Sequence, residues 1–326
     1  MHDTRTDYSN WLVCPHCFHD LILEDARLLC SGCSQEYPIV DGIPCFAPSD
    51  EFYDAYSSVH CPYALSPHGL KGQVLRFLPF WSWREWRFWR SVIPRHSCLL
   101  DLGCGRGREI FVERAGKTVG FDGSHHFIRD CATHYDLAVQ GALPHLPFRP
   151  GAFDVVVSSH VIGHIPPQYK DELIAQIARV LRPGGLAAHI IEVDSLHPTL
   201  LAAKQKPDVY QRQFLEQDGH VGLEFADRVI ERFAGQGFQP RVLRVVDALV
   251  PSLQNYRKYL SHPAFAELPG VTPLRRLNGL TTTNGVANAL YEVGMGTFHH
   301  TVEQWFGPPQ QAQFIMVAFQ KPDERQ

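Results

Sequence analysis

The 326-residue chain has no apolar stretch approaching the roughly 20 residues that cross a bilayer, although 44% of its residues are hydrophobic. Its opening residues, MHDTRTDYSNW, carry mixed charge and no apolar run, so no secretory leader and no membrane contact are expected. A cytoplasmic location is the expectation, with the nine cysteines reduced and open to metal rather than to pairing. Positive charge is also in short supply. The 30 Lys and Arg stand against 34 Asp and Glu, a formal net charge of −4, which disfavours a broad basic surface for nucleic acid and leaves only a local patch. Repeats, low-complexity tracts and long polar linkers are lacking, which predicts closely packed domains. The length suffices for one large α/β domain and a small accessory one.

What the sequence does have begins with cysteine. Cys14-Pro15-His16-Cys17 is followed by Cys30-Ser31-Gly32-Cys33. Each CxxC lets two thiolates face one ion from a tight turn, and two such knuckles complete a tetrahedral sulfur shell. With all four positions filled by protein, a zinc ion held by Cys14, Cys17, Cys30 and Cys33 is expected to be structural; redox chemistry at Cys14 and Cys17 is the alternative. Cys45 and Cys61 fall outside the pattern and read as ordinary thiols. Between the knuckles, LILEDARLLC alternates as a strand does, and Asp41-Gly42 marks a turn within YPIVDGIP. The segment resembles the small zinc-ribbon activator subunit of tRNA and translation-factor methyltransferases, which implies a module that stabilises an attached or partner enzyme.

A second pattern is strand, glycine loop, helix: Cys98-Leu99-Leu100-Asp101-Leu102, then Gly103-Cys104-Gly105-Arg106-Gly107, then REIFVERAG. Alternate glycines let the backbone turn sharply and approach a ligand, and the following helix start offers unpaired N–H groups. The next strand, KTVGF, ends in Asp122, placed to accept from two ribose hydroxyls. The G-x-G-x-x-G fingerprint of a dinucleotide dehydrogenase does not fit Gly103, Gly105 and Gly107. The loop with its acid resembles the class I S-adenosylmethionine-dependent methyltransferases of type 11, and the resemblance continues through GALPHLPF, FDVVVS and RVLRPGGL. It implies a Rossmann-like seven-stranded α/β fold with S-adenosyl-L-methionine as cofactor. Contacts are expected from Asp101, Gly103, Gly105, Gly107, Asp122, Gly123, Ala142, Leu143 and Ser159. Many relatives place an acid where this chain has Ala142, so the adenine contact there falls to backbone.

His160, just beyond the fourth core strand, is the candidate catalytic base, or else a pocket wall. His164 reads as packing or capping, and the two are not read as a metal pair. Glu192, Asp194 and His197 could touch substrate but read more simply as a solvated loop, and His299-His300 as ordinary surface or pocket histidines. Between the ribbon and the core, Trp81, Trp83, Trp86 and Trp89 with Arg84, Arg87 and Arg90 predict a helix with an aromatic and a basic side. It packs on the protein, covers substrate, meets RNA or makes a homodimer contact. The expected organisation is zinc ribbon 1–50, aromatic helical connector 51–94, cofactor-binding core 95–250, substrate cap 251–310, and last strand with tail 311–326. A second flap is expected over 195–220. Methyl transfer to a small molecule, a secondary metabolite or sugar derivative, is the leading expectation. An rRNA or tRNA base methyltransferase and a non-catalytic cofactor-binding regulator are the alternatives.

Overall fold

The computed structural model describes residues 8–49, 54, 64–69, 72 and 75–323; the Cys61 thiol lies outside them, as does much of 51–74. Among the described residues eleven strands form two sheets. The first holds β1 Leu21–Glu24, β2 Arg27–Cys30, β3 Glu36–Val40 and β4 Ile43–Pro44. The second holds β5 Cys98–Leu102, β6 Lys117–Asp122, β7 Leu137–Gln140, β8 Phe153–Ser159, β9 Leu181–Glu192, β10 Gln239–Val246 and β11 Phe314–Gln320. LILEDARLLC is a hairpin rather than the single strand its alternation predicts: β1 pairs antiparallel with β2, and Asp25, at φ 51°, supplies the left-handed residue of the turn, as Asp tolerates.

The large sheet runs β10-β11-β9-β8-β5-β6-β7. Its strands are parallel except β11, which is antiparallel to both β9 and β10. FDVVVSS is apolar on both faces because helices cover both sides of a parallel sheet, and Phe153, Val155, Val156 and Val157 are fully buried. The helix Pro167–Val180 starts with proline at its first turn and turns Leu173, Ile174, Ile177 and Val180 into the core. Each such side chain contributes about 1.5–3 kcal/mol of burial. The chain order reverses beside β5, so the C-terminal ends of β5, β6, β8 and β9 border one crevice.

The ribbon is built into the edge of this sheet. Phe46 donates its N–H to Gln140 O at 2.8 Å, Cys45 bridges Gln140 in parallel, and Leu12 bridges Phe148. Edge strand β7 is thereby covered. Leu12, Cys14, Leu21 and Leu28 share an apolar cluster with Phe148 and Phe153, and Arg179 lies 4.5 Å over the Phe18 ring.

The tryptophan segment also belongs to the core. Trp81 and Trp89 are buried, with Phe88 between them. The predicted basic side is broken by Arg84, itself buried, with its guanidinium 4.2 Å over the Trp81 ring and donating to Gln254 Oε1 at 2.7 Å. Most residues between β10 and β11 are helical, with helices Val271–Thr283 and Gly285–Phe298 separated at Asn284, whose side chain caps the second. Leu200, Ala203 and Phe214 from the 195–220 segment pack with Leu253, Tyr256, Leu260 and Phe265, so the two insertions share one apolar cluster. No helix among the described residues is long and apolar enough to cross a membrane.

Candidate functional site

Four sulfurs converge in the ribbon. Cys14 Sγ is 3.6 Å from Cys33 Sγ and Cys17 Sγ is 3.3 Å from Cys30 Sγ, all four lie within 4.8 Å of one another, and none is in a disulfide. The N–H groups of Gly32 and Cys33 point at Cys30 Sγ from 3.3 and 3.4 Å. A tetrahedral ion with bonds of about 2.3 Å sets sulfurs about 3.8 Å apart, so the cluster has the size that zinc requires.

The glycine loop leaves β5 with Gly103, Gly105 and Gly107 at φ 62°, 53° and 91°. A Cβ on Gly103 would lie 2.4 Å from Val161 Cγ2, so only glycine fits there. Asp122 at the end of β6 holds the loop: its Oδ2 accepts from Gly105 N at 2.8 Å and its Oδ1 from Ser124 N at 2.9 Å. Burial raises its pKa, opposed by the N–H groups of Ser124, Gly105 and Gly123. Asp101 is fully buried and pushed up to about 7 by desolvation, against Arg108 and the Tyr135 hydroxyl, which donates to Oδ2 at 2.9 Å. Gly141 N donates to Asp122 O at 3.0 Å, which brings the turn with exposed Ala142 and half-buried Leu143 beside that acid. Ser159 closes β8 and accepts from Arg108 Nη2 at 2.7 Å. The glycine loop and the Asp122 carboxylate beside it are the groups that could hold a nucleoside with a free ribose.

His160 follows in a left-handed conformation, φ 60°, a strained state for a non-glycine residue that recurs at functional sites. Its Nδ1 forms a short contact to Glu192 Oε1, and its Nε2 lies 3.6 Å from Glu85 Oε1. Burial lowers its pKa, but the two carboxylates outweigh it and raise it to about 9. In this arrangement the ring keeps its proton at neutral pH, which favours an orienting hydrogen-bond donor over the ready base expected from its position. Glu85, from the helix Arg84–Val92, also lies 3.5 Å from Arg84 and from Arg108. It joins the connector to the crevice, and nothing in its local sequence marks it.

Beyond His160 a small chamber opens beneath the two insertions. Its lining includes Glu192, Tyr210, Phe214, His220, Asp247, Asn255, Lys258, Tyr259 and Phe314. Glu192 and His197 are not a solvated loop. Glu192 ends β9 with its side chain inside, and His197 is a buried helix cap accepting from Thr199 N at 3.2 Å; Asp194 pairs with Lys204. Glu192 Oε2, His220 Nε2, Asp247 Oδ1 and Asn255 Oδ1 are buried without a hydrogen-bond partner among the described residues. Such groups are costly unless something satisfies them. His299 is buried too, 2.8 Å from Glu303 Oε2, in the wall behind Asp247.

Asp247 gives a stability test. It is buried, and desolvation with the nearby Glu303 charge raises its pKa to about 7, against Ser252 and Arg84. Glu303 is itself raised to about 7 by burial. An unfolded Asp releases its proton near about 3.9, so between those values the folded state binds more protons and stability falls as pH rises. The expected loss is about 1.4 kcal/mol per pH unit, levelling off near neutrality. Asp247→Asn should gain stability over wild type as pH climbs from 5 to 7 in denaturant melts. A difference that stays constant with pH would show that Asp247 titrates normally.

Residues 100–189 match the family model described as a methyltransferase domain. The chain is similar to a tRNA (carboxymethyluridine(34)-5-O)-methyltransferase of Arabidopsis thaliana, 26% identical over 129 residues, which are 39% of this chain and 32% of that protein. An uncharacterized methyltransferase of Synechocystis sp. is 35% identical over 94 residues, 28% of this chain and 44% of that one. The chain thus spans under half the length of these relatives. A Haloferax volcanii structure of the Trm112 methyltransferase activator in complex with a methyltransferase superposes with a TM-score of 0.48 at 17% identity, covering 85% of this chain and 100% of that one.

Proposed function

We propose that this chain, whose residues 100–189 form a class I S-adenosylmethionine-dependent methyltransferase domain, transfers methyl from that cofactor to a small hydroxyl- or amine-bearing acceptor held in the chamber beneath the two insertions. The observation that carries the acceptor class is the lining. Asp247 Oδ1 and Asn255 Oδ1 are buried acceptors without partners among the described residues, set among Tyr210, Phe214, Tyr259 and Phe314 with Lys258 as the one Lys or Arg of the described lining. Acceptors of this kind call for a ligand rich in donors, and the aromatic walls suit a compact ring.

When bound, S-adenosylmethionine supplies an electrophilic methyl carbon on a sulfonium. Asp122 is read as holding the ribose, Gly103, Gly105 and Gly107 as admitting the amino-acid portion close to the backbone, and Gly141, Ala142 and Leu143 as flanking the adenine. His160 sits between crevice and chamber and is read as orienting the acceptor, since displacement depends on alignment. The two insertions are read as a lid that keeps water out. The four ribbon cysteines are read as holding a structural zinc that secures the edge of the sheet.

A second reading, RNA as acceptor, draws on the relatives named as tRNA methyltransferases. The two separate in one experiment. Purified protein is given labelled cofactor and a cell extract divided into RNA and small-metabolite fractions. Label is expected in the small fraction at a rate little changed by salt. Label in the RNA fraction, falling steeply with salt, would replace the first reading with the second. Cofactor binding with no label in either fraction would leave a non-catalytic binder.

A further inference from the structure

Three side chains far apart in sequence meet where β9 ends. His164, Glu192 and His220 each offer one ligand atom, and these atoms all lie within 4.8 Å of one another. His160 stands outside the set. The surroundings fix each member for coordination. His220 Nδ1 donates to Phe214 O at 2.8 Å, which leaves the lone pair on Nε2; that atom is buried, without a hydrogen-bond partner among the described residues, and 4.0 Å from Glu192 Oε1. His164 Nδ1 is directed at Gly219 O, 3.2 Å away, with its ring centroid 4.9 Å from that of His220. Glu192 Oε1, the oxygen 4.0 Å from His220 Nε2, is also the one engaged by His160, while Oε2 is buried without a hydrogen-bond partner among the described residues. Imidazoles whose second nitrogen donates to a backbone carbonyl, beside a carboxylate that is itself hydrogen-bonded, are the outer-shell pattern of metal sites.

We propose that His164, Glu192 and His220 bind one divalent transition-metal ion of the manganese-to-zinc series. Two imidazoles and one carboxylate select these ions over magnesium or calcium, which prefer all-oxygen sets. Bonds of about 2.1 Å bring ligand atoms to about 3–3.5 Å, a contraction within reach of side-chain rotation. Three protein ligands leave further positions for water or an oxygen of the acceptor. Glu192 and His220 line the chamber, so this second role, unlike the binding itself, rests on the small-acceptor reading. The other non-cysteine cluster among the described residues, His68, Glu109 and Glu113, has its histidine exposed and spent on Glu109 at 2.5 Å, and serves as the control.

The test is metal content of the full chain. After equilibration with zinc and removal of excess, wild type should retain one equivalent beyond what the ribbon cysteines take. H164Q and H220Q should each lose that equivalent while keeping S-adenosylhomocysteine binding, and H68Q should keep it. Cobalt(II) loading needs no variant: one equivalent should lack the intense thiolate-to-cobalt absorption that the ribbon equivalent shows. Wild type with the ribbon equivalent alone, retention of the extra ion in both H164Q and H220Q, or thiolate absorption accounting for all bound cobalt would each overturn the site. Metal content is read without any methyl acceptor. A filled site in a protein that labels only RNA would sink the acceptor reading and leave this one standing.

Discussion

Replacing Cys14 and Cys33 by serine is expected to release the zinc and to lower the melting temperature of the whole chain, not of its first 50 residues alone. A ribbon of this size cannot bury enough apolar surface to hold its fold without metal, and structural zinc contributes on the order of 10 kcal/mol in isolated fingers. The ribbon is not a separate bead here. Its β4 exit pairs with β7 through Phe46 and Gln140, and Leu12 and Leu28 complete a cluster containing Phe148 and Phe153. Losing it exposes that edge, so a drop on the order of 10 °C is expected at a few degrees per kcal/mol. Cofactor affinity should fall in step. Ser49, at the end of the ribbon, accepts from His125 N at 2.9 Å, and Asp54 accepts from Ser49 and from Ser124 at 2.5 Å, next to Asp122. Zinc content, melting temperature and S-adenosylhomocysteine affinity measured on one preparation settle it: a zinc-free double variant with wild-type melting would refute the structural role. Cys45→Ser should keep its zinc.

What could be read from the sequence was what short spacing encodes. Two CxxC pairs and a glycine loop followed by a strand ending in Asp122 are local patterns whose chemistry needs those residues at those separations. The sheet order follows from the same units, because a right-handed strand-helix-strand crossover leaves few arrangements. The chamber is different. Glu85 reaches His160 from a helix 75 residues earlier, and His220 and Asp247 arrive from a flap and a strand end. No periodicity links such residues, since they share only a place in the folded chain. The tryptophan segment shows the same limit. An amphipathic helix of nine residues, Arg84–Val92, looks alike whether its aromatic side meets the core or a ligand. Arg84 is decided by tertiary contacts, a Trp81 face and Gln254, that no local pattern carries. His160 lies just beyond β8, where its position in the sequence put it, but its neighbours Glu192 and Glu85 could not be read from that position.

Asp122→Ala is expected to weaken S-adenosylhomocysteine binding by roughly 100-fold while leaving the fold intact. Two hydrogen bonds from ribose hydroxyls to a carboxylate contribute about 1.5 kcal/mol each at the lower end, and about 2.7 kcal/mol is a factor of 100. The alanine also strips the acceptors from Gly105 N and Ser124 N, so part of the effect comes through a looser glycine loop. Asp122→Asn separates the two contributions. Its side-chain oxygen can still accept one of those N–H groups, and it removes a buried carboxylate whose pKa burial has already raised, so the ligand-free protein should melt no lower than wild type. Its cofactor affinity should nonetheless drop, because a neutral amide replaces the charged acceptor at the ribose. The two properties therefore move apart, as they do where a residue is kept for binding at some expense of stability. Titration calorimetry and thermal melts on both variants give the answer. If both bind like wild type, the ribose lies elsewhere and Asp122 serves only to pin the loop; if both lose affinity only in proportion to lost stability, the carboxylate acts through the fold and touches no cofactor.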